Sequence, residues 1–343
     1  MATYDWLFNI FGLRTWCDID ASEGPMSMAQ LLAKTGNVEP ESRFNVAFPS
    51  LDELHKACGQ ITQTRDVVKG LEDGFLAIRP ALRTVLDPIT QPLSWMLDGT
   101  LYVLTTAPWF IVMTAILIAV WYATRSISVV LFNALSLAFF AFVDHFEPAM
   151  QTFAVILVCT IISALLGVPI GIAMSKYNRL QKAVIPILDL LQTLPTFVYL
   201  IPLIFLFPIG ESRLYGIAIV LYAIVPVIRL TDLGVRLVDK DVAEAGNAFG
   251  MSPAQKLGKV ELPLALPNIM AGLNQTIMMS LAMVVIASMV TAPGLGVLVL
   301  RGIRNLELGV GLMAGFCIVL LAVMLDRTSK AALSRIDRTK SEM

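Results

Sequence analysis

Long uncharged runs alternate with short polar segments along most of the chain after residue 98. A helix that crosses a bilayer needs roughly 20 mostly apolar residues. Segments free of Asp, Glu, Lys and Arg cover residues 99–124, 126–143, 148–175, 190–210, 214–228, 262–300 and 308–325. This pattern predicts an all-α integral membrane protein with about seven transmembrane helices.

Two of these segments need an adjustment before each can count as one helix. The segment 214–228 is short, but Arg229 can snorkel towards an interface and extend it. The segment 262–300 is too long for a single span. Pro293–Gly296 interrupts it, so we expect a helix near 267–292 followed by a short apolar stretch.

The positions of Lys and Arg predict the orientation of the chain in the membrane. Cytoplasmic loops are enriched in basic residues, and here such residues occupy alternate connections. These connections contain Arg125, then Lys176, Arg179 and Lys182, then Arg236, Lys240, Lys256 and Lys259. The connection after residue 292 departs from the pattern, with Arg301 and Arg304 against Glu307. We therefore expect a cytoplasmic C-terminal tail at 331–343 and, with seven spans, an N-terminus outside.

Composition disfavours several classes of protein. Hydrophobic residues make up 57% and charged residues 15% of the 343 positions, whereas a soluble domain carries about a quarter charged residues. The formal net charge of −1 argues against nucleic acid as a partner. The four cysteines and two histidines form no CxxC or Cys/His cluster. The sequence therefore predicts no metal site, no disulfide scaffold and no cofactor in this chain.

Residues 1–98 are predicted to form an extracytoplasmic tail. They carry 8 Lys and Arg against 13 Asp and Glu, which suits translocation. A basic segment followed by an apolar one is missing, so we expect no cleaved signal peptide. The stretch 4–17 places Trp6, Ile10 and Leu13 at helical spacing. Such a helix either lies on the outer membrane surface or packs on the rest of the tail, which is expected to form short helices and loops.

The polar loop 234–263 contains the signals for a short helix that ends at a glycine. Asp241 and Glu244 form a capping pair at the start of this helix. Gly250 is a natural C-terminal stop, because glycine adopts the left-handed conformation without steric cost.

A second short helix is predicted directly after that glycine. Ser252 supplies its cap, Pro253 its first-turn proline and Gln255 the partner of a capping box. Pro263 is expected to end or kink this helix. The loop is thus predicted to form a helix–glycine–helix elbow on the cytoplasmic face, shaped to dock in a cleft of a soluble partner.

The same loop carries a recognisable signature. It follows the pattern Glu-Ala-Ala, three residues, Gly, nine residues, Ile-x-Leu-Pro, which resembles the cytoplasmic loop of bacterial ABC import permeases. The residues that match, with every spacing intact, are Glu244, Ala245, Gly250, Leu262 and Pro263. Gly246 replaces the second alanine of the pattern, and Val260 replaces its isoleucine. The resemblance implies the type I ABC importer permease fold, with this loop coupled to an ATPase.

The resemblance implies a role for each residue of the signature. Glu244 is expected to orient the first helix and to form a salt bridge to the ATPase; the alternative is that it only caps a solvated helix. The two small residues after it are expected to offer a thin face for close approach. Gly250 makes the turn, and Leu262 and Pro263 set the angle at which motion passes into the next helix.

Three further stretches resemble the permeases of glycine-betaine and proline-betaine importers. They are residues 189–202, 262–276 and 283–289, and the likeness extends over about 98–330. We therefore expect a transmembrane permease domain at 99–330, in a multi-pass protein of the bacterial inner membrane. Its implied function is to form the translocation pathway for a compatible solute.

The resemblance also implies a division of labour among several proteins. A soluble binding protein delivers the solute from outside, two permease copies enclose a pathway, and two cytoplasmic ATPase subunits each receive one loop. The chain contains no G-x-x-x-x-G-K-[ST] phosphate loop. ATP and Mg are therefore expected on the partner ATPase, and the permease itself, surrounded by membrane lipid, is not expected to be an enzyme.

Polar and aromatic residues inside the apolar segments are the candidates for the pathway, since polar side chains at membrane depth usually face protein or water. For the small residues after 279 the competing interpretation, helix packing, is preferred. For the aromatic residues, which suit a quaternary ammonium group, the competing interpretation places that cage on the binding protein. The candidates are Gln192, Thr193, Pro195, Phe197, Tyr199, Ser280, Ser288 and Thr291.

Alternative functions stay open at this point. An ABC permease for choline, carnitine or another small solute would have the same architecture. A stand-alone secondary transporter would usually show inverted repeats and mid-span carboxylates for coupling ions, and inspection finds neither. An intramembrane enzyme would need a motif such as HExxH or GxSxG, and none is present.

Overall fold

The computed structural model describes Ile10 and residues 64–336, and every regular element in that part of the chain is helical. This confirms the predicted all-α fold class. In chain order the elements are α1 (Thr64–Thr106), α2 (Trp109–Thr124), α3 (Ile127–Phe142), α4 (Phe146–Lys176), α5 (Asn178–Thr193), α6 (Leu200–Leu206), α7 (Ser212–Arg236), α8 (Lys240–Ala248), α9 (Pro253–Lys256), a π-helical turn (Leu257–Glu261), α10 (Leu262–Ala287), a 3₁₀ turn (Ser288–Val290), α11 (Leu295–Arg304) and α12 (Leu308–Ile336).

The chain divides into two compact units, residues 1–80 and 81–343. The division falls within α1, and so does the predicted border between tail and permease domain at 98/99. Apart from Ile10, the predicted helix 4–17 lies outside the described residues, as does the end of the predicted C-terminal tail.

Four helices of the described chain are long and apolar enough to cross a membrane, or five if one bent pair is counted as a single span. The four are α4, α7, α12 and the helical run Pro253–Val290. They contain the predicted spans 148–175, 214–228 and 308–325, and all but the last two residues of the span 267–292. Helix α3, which fills most of the segment 126–143, is apolar but has only 16 residues. Seven separate spanning helices are not found among the described residues, because α3 is short and two other predicted segments fold differently.

The first of these segments, 99–124, is divided between α1 and α2. The two helices meet at Ala107 and Pro108 with a bend of 117°. Proline donates no backbone N–H and disfavours helical geometry in the residue before it. Pro108 is accordingly the N-cap of α2, with φ −53° and ψ 133°. The expectation of one helix over 99–124 was wrong for this reason.

The second segment, 190–210, contains the end of α5, a non-helical stretch and the seven-residue helix α6. Leu194 precedes Pro195 and adopts the extended geometry that residues before proline prefer, with φ −66° and ψ 132°. The absence of charged residues alone therefore predicted a helix that is too long, and 190–210 does not form one helix.

Helix α7 is the centre of the bundle. It packs against α4 on one side and α10 on the other, and 72% of its apolar stretch is buried. Glycines on the neighbours set the separation. A Cβ atom on Gly171 of α4 would lie 2.6 Å from Cβ of Thr231, and one on Gly272 of α10 would lie 3.1 Å from Cα of Val227. Small residues of this kind let helix backbones approach closely in a membrane.

Replacing Gly171 with alanine is expected to destabilise the bundle. The new methyl group would lie 2.7 Å from the backbone carbonyl oxygen of Ile228, which cannot move without shifting α7. Overpacking of this kind costs about 1–3 kcal/mol. Thermal unfolding of the detergent-solubilised protein should show a lower midpoint for Gly171→Ala. Gly315→Ala in α12 is the control, because nothing lies within 4 Å of its added methyl group; equal midpoints for the two variants would contradict the packing described.

Candidate coupling loop and translocation pathway

The polar loop folds as the predicted helix–glycine–helix elbow, although its first cap lies elsewhere. Asp239, and not the expected pair Asp241 and Glu244, caps α8: its Oδ1 accepts a hydrogen bond from the backbone N of Asp241 at 2.9 Å. Asp241 lies in the first turn, where its negative charge still complements the helix dipole. The cap is two residues earlier because the carboxylate must stand outside the helix to reach its first free amides.

Gly250 makes the turn of the elbow as predicted. Its φ of +72° lies in the left-handed region that side chains disfavour. Its backbone N donates to the carbonyl of Asn247 at 2.9 Å, and the backbone N of Met251 donates to the carbonyl of Gly246 at 3.1 Å. These bonds satisfy carbonyl groups that the end of α8 leaves free.

The second helix starts with the predicted capping box. The hydroxyl of Ser252 accepts from the backbone N of Gln255, and the Gln255 side chain accepts from the backbone N of Ser252 at 3.0 Å. Pro253 occupies the first turn, where its missing N–H costs nothing.

Pro263 does not end this helix, which was one of the two outcomes expected for it. The helix continues without a break from Pro253 to Val290. The backbone N of Leu262 donates to the carbonyl of Leu257, five residues earlier, which makes a π-helical turn. This wider turn precedes the proline, and Pro263 then lies at the start of α10.

The signature residues divide between the surface and the interior of the elbow. Glu244 and Ala245 are exposed on α8. Gly246 is buried, and a Cβ atom there would lie 3.6 Å from both Met251 and Lys256. It therefore faces the second half of the elbow. Leu262 is half-buried, whereas Pro263 and Gly250 are exposed.

An ion pair that the sequence analysis missed ties the elbow to α4. Lys176, the last residue of α4, donates to the carboxylate of Glu261, whose side chain is only 8% exposed. The sequence contained only one indication of this ion pair, namely that Glu261 directly precedes the signature residue Leu262.

A second polar cluster holds the neighbouring helix ends together. Asp232 of α7 is buried and accepts from Arg236 at 2.9 Å and from Gln181 of α5 at 2.7 Å. The Arg236 guanidinium also donates to the Met174 carbonyl at 2.7 Å and to Asn178 at 2.9 Å. The ends of α4 and α7 and the start of α5 are therefore fixed beside the elbow.

Among the pathway candidates, Gln192 contacts α7. Its side-chain amide donates to the carbonyl of Tyr222 at 3.2 Å. One turn earlier on α5, Asp189 forms an ion pair with Arg229. Arg229 is therefore paired with Asp189 rather than snorkelling alone. These contacts place α5 antiparallel along α7.

The other candidates on this side of the molecule lie around the non-helical stretch after α5. Thr193, Pro195 and Phe197 are exposed, and the hydroxyl of Tyr199 lies 3.7 Å from the sulfur of Met283 in α10. This stretch therefore reaches α10, but Gln192 and Tyr199 contact different helices.

The remaining candidates lie at or beyond the middle of α10. Ser280 is fully buried, and its Oγ has no hydrogen-bond partner among the described residues. Ser288 is buried and donates to the Val284 carbonyl at 3.0 Å. Both positions fit the preferred packing interpretation. Thr291 is exposed, with a left-handed φ of +80°.

Gly246→Ala and Gly250→Ala are expected to change the elbow in opposite directions. An added methyl group fits at Gly246 and should stabilise α8 by about 1 kcal/mol, because alanine is the better helix former. At Gly250 the space is open, but the positive φ makes alanine unfavourable by about 1 kcal/mol. Hydrogen exchange of the α8 amides should slow in the first variant and accelerate in the second. The same change in both variants would contradict the assigned geometry.

Lys176→Met is expected to destabilise the protein, because it leaves the Glu261 carboxylate buried without its partner. The cost is about 1–3 kcal/mol, moderated because the Lys176 side chain is 40% exposed. The double variant Lys176→Met/Glu261→Met removes both charges and should recover most of the lost thermal stability. Equal losses in the single and double variants would show that the ion pair is not the cause.

Comparison with known proteins supports this description. The family described as "binding-protein-dependent transport system inner membrane component" matches residues 163–338. The OpuAB glycine betaine permease of Bacillus subtilis is 46% identical over 213 residues, covering 62% of this chain and 74% of the relative. The ProW glycine betaine/proline betaine permease of Escherichia coli is 37% identical over 296 residues, covering 86% and 79%.

A solved structure shares the fold. The inward-facing MetNI methionine ABC transporter superimposes with a TM-score of 0.51 at 19% identity, covering 57% of this chain and 96% of that chain. At this identity the likeness concerns the fold alone. It supports the type I permease fold predicted from the elbow signature.

Proposed function

Since the chain belongs to the family of binding-protein-dependent transport system inner membrane components, we propose that it forms the translocation pathway of an ATP-driven importer for a betaine-type solute. It is an inner-membrane transport subunit, and its family implies an ATPase and a solute-binding protein as partners. The observation that carries the proposal is the elbow, which has the predicted shape and presents the signature residue Glu244 to solvent.

Glycine betaine or proline betaine is the solute that the relatives favour. OpuAB, ProW and the GbuB glycine betaine/carnitine permease of Listeria monocytogenes are between 36% and 46% identical to this chain. The OpuBB choline permease of B. subtilis is 30% identical over half of the chain. Choline, carnitine or another small solute is therefore the second candidate, and a stand-alone transporter is less well supported.

The elbow is built to pass motion into the membrane. Its second half is continuous with α10, so the helical run Pro253–Val290 extends over about 57 Å at 1.5 Å per residue. The Lys176–Glu261 ion pair attaches the same point to α4. A displacement of the elbow by a bound ATPase would therefore move α10 and α4 together, and α7 between them.

The proposed assembly contains two copies of this permease, enclosed by membrane lipid, with one ATPase subunit at each elbow. ATP and Mg are used by the ATPase. Closure of the ATPase subunits brings the two elbows together and changes which side of the membrane the pathway faces. Glu244, exposed beside the turn, is the candidate for an ion pair with the ATPase. Gln192 and Tyr199 remain candidates for the pathway between the two copies, whereas Ser280 is fully buried within one copy.

Co-purification of the permease with its ATPase tests the docking role of the elbow. Gly250→Pro should abolish the complex, because proline fixes φ near −65° and cannot adopt +72°. The same substitution removes the hydrogen bond to Asn247. Glu244→Ala should weaken the complex. Gly246→Ala is the matched control, because its methyl group fits inside the elbow, and it should retain the ATPase.

The result is informative only if the variants still fold, which size-exclusion behaviour and thermal unfolding of the permease would establish. Retention of the ATPase by folded Gly250→Pro permease would contradict the docking role. With the intact complex and its binding protein in liposomes, ATP-dependent uptake of glycine betaine should follow. Uptake of choline but not of glycine betaine would favour the second candidate.

A further inference from the structure

Helix α11, which follows the end of α10 farthest from the elbow, carries two arginines that the coupling mechanism does not use. Leu262 and Ser288 are separated along a continuous helix by about 39 Å at 1.5 Å per residue. Beyond Ser288, α11 ends with Arg301 and Arg304 in its last turn. If the elbow is cytoplasmic, both arginines are on the outer face, where membrane proteins carry fewer basic residues.

These arginines line a cavity of about 440 Å³. The hydroxyl-bearing residues Ser288 and Thr291 line it, as does Asn305. Its remaining wall is apolar and consists of Met289, Val297 and Leu300. The cavity is concave and has room for a small solute, with a polar and an apolar part.

The chain holds this cavity in place by tight contacts. The backbone N of Leu295 donates to the Thr152 hydroxyl of α4 at 2.9 Å. A Cβ atom on Gly296 would lie 2.3 Å from the Ser288 Oγ, so only glycine lets α11 start this close to α10. Thr291 has a φ of +80°, which is strained for a β-branched residue. A strained backbone conformation persists only where the surrounding structure imposes it, so the contacts around Thr291 hold this turn in place.

The two arginines differ in how their charge is balanced. Arg301 forms an ion pair with Glu307 at 3.0 Å, and the side chain of Asn305 donates to the same carboxylate group at 3.1 Å. Arg304 has no ion-pair or hydrogen-bond partner within residues 64–336. One guanidinium group lining the cavity is thus available for an anionic group.

We propose that this cavity is a low-affinity vestibule for carboxylate-bearing zwitterions, in which Arg304 binds the carboxylate and the apolar wall contacts the methyl groups. Guanidinium and carboxylate groups match in geometry and can form two parallel hydrogen bonds. Because Arg304 is exposed to water, the site is weak. A weak site suits a permease, since a solute that bound tightly would not move on.

Two simpler roles for Arg304 compete with this one. A basic residue in the last turn of a helix complements the helix dipole, and an exposed arginine suits an acidic surface of the binding protein. Neither requires a concave cavity lined by both polar and apolar side chains. The identity of the solute as a betaine rests on the proposed function, but the preference for a carboxylate does not.

Saturation-transfer NMR on the purified permease–ATPase complex, without binding protein, tests the vestibule. Glycine betaine and tetramethylammonium are the probes, because both carry methyl groups on nitrogen and only the first has a carboxylate. Wild type should transfer saturation to glycine betaine and not to tetramethylammonium. Arg304→Gln should weaken binding by about three- to fivefold, and Arg304→Lys should restore part of it. Arg327→Gln, at the other end of α12, is the charge-matched control and should bind as wild type does.

Three results would contradict the proposed vestibule. They are no saturation transfer to glycine betaine in wild type, equal transfer to tetramethylammonium, or unchanged binding in Arg304→Gln. If Arg304→Gln instead lowered only the affinity for the binding protein, the arginine would be a docking residue. Failure of glycine betaine uptake with intact saturation transfer would count against the proposed function and not against the vestibule. Intact uptake without saturation transfer would count against the vestibule alone.

Discussion

Close contact between helix backbones, which glycine permits, is the constraint on which the rest of this structure depends. Lipid tails are as apolar as leucine side chains, so helices in a membrane associate by packing rather than by the hydrophobic effect. Gly171 of α4 and Gly272 of α10 bring both helices against the backbone of α7. With α7 held between them, α5 attaches through Gln181, Asp189 and Gln192. The polar contacts are thus secondary to a glycine-defined core.

The same core also connects two distant regions of the chain. The helical run Pro253–Val290 begins in the elbow and ends beside the cavity that Arg304 borders. The Lys176–Glu261 ion pair fixes the elbow end to α4, and Thr152 of the same helix binds the backbone of Leu295 at the other end. Helix α4 is therefore tied to the run Pro253–Val290 at the elbow end and to α11, which follows that run, at the other end. A movement of the elbow is expected to reach the cavity through them.

Local signals in the sequence predicted local structure well. The capping box of Ser252 and the turn at Gly250 appeared as expected, since their geometry depends on neighbouring residues. Four of the uncharged runs lie largely in long helices. Pro108 and Pro195 interrupt two others, and the run 126–143 forms only the 16-residue α3. Contacts between distant residues were missed: Lys176 and Glu261 are 85 positions apart and Asp189 and Arg229 are 40 apart. The π-helical turn before Pro263 was missed as well, because nothing in the sequence marks it.

The distance between the elbows of two permease copies tests the central claim most directly. Phe249 at the elbow is 84% exposed and is suited to a spin label through Phe249→Cys, with Cys17 and Cys58 replaced; Cys159 and Cys317 are buried. In the assembled importer, pulsed EPR should give one label-to-label distance without nucleotide and a shorter one when the ATPase holds ATP. An unchanged distance, or no distance within range, would contradict a paired permease driven through its elbows.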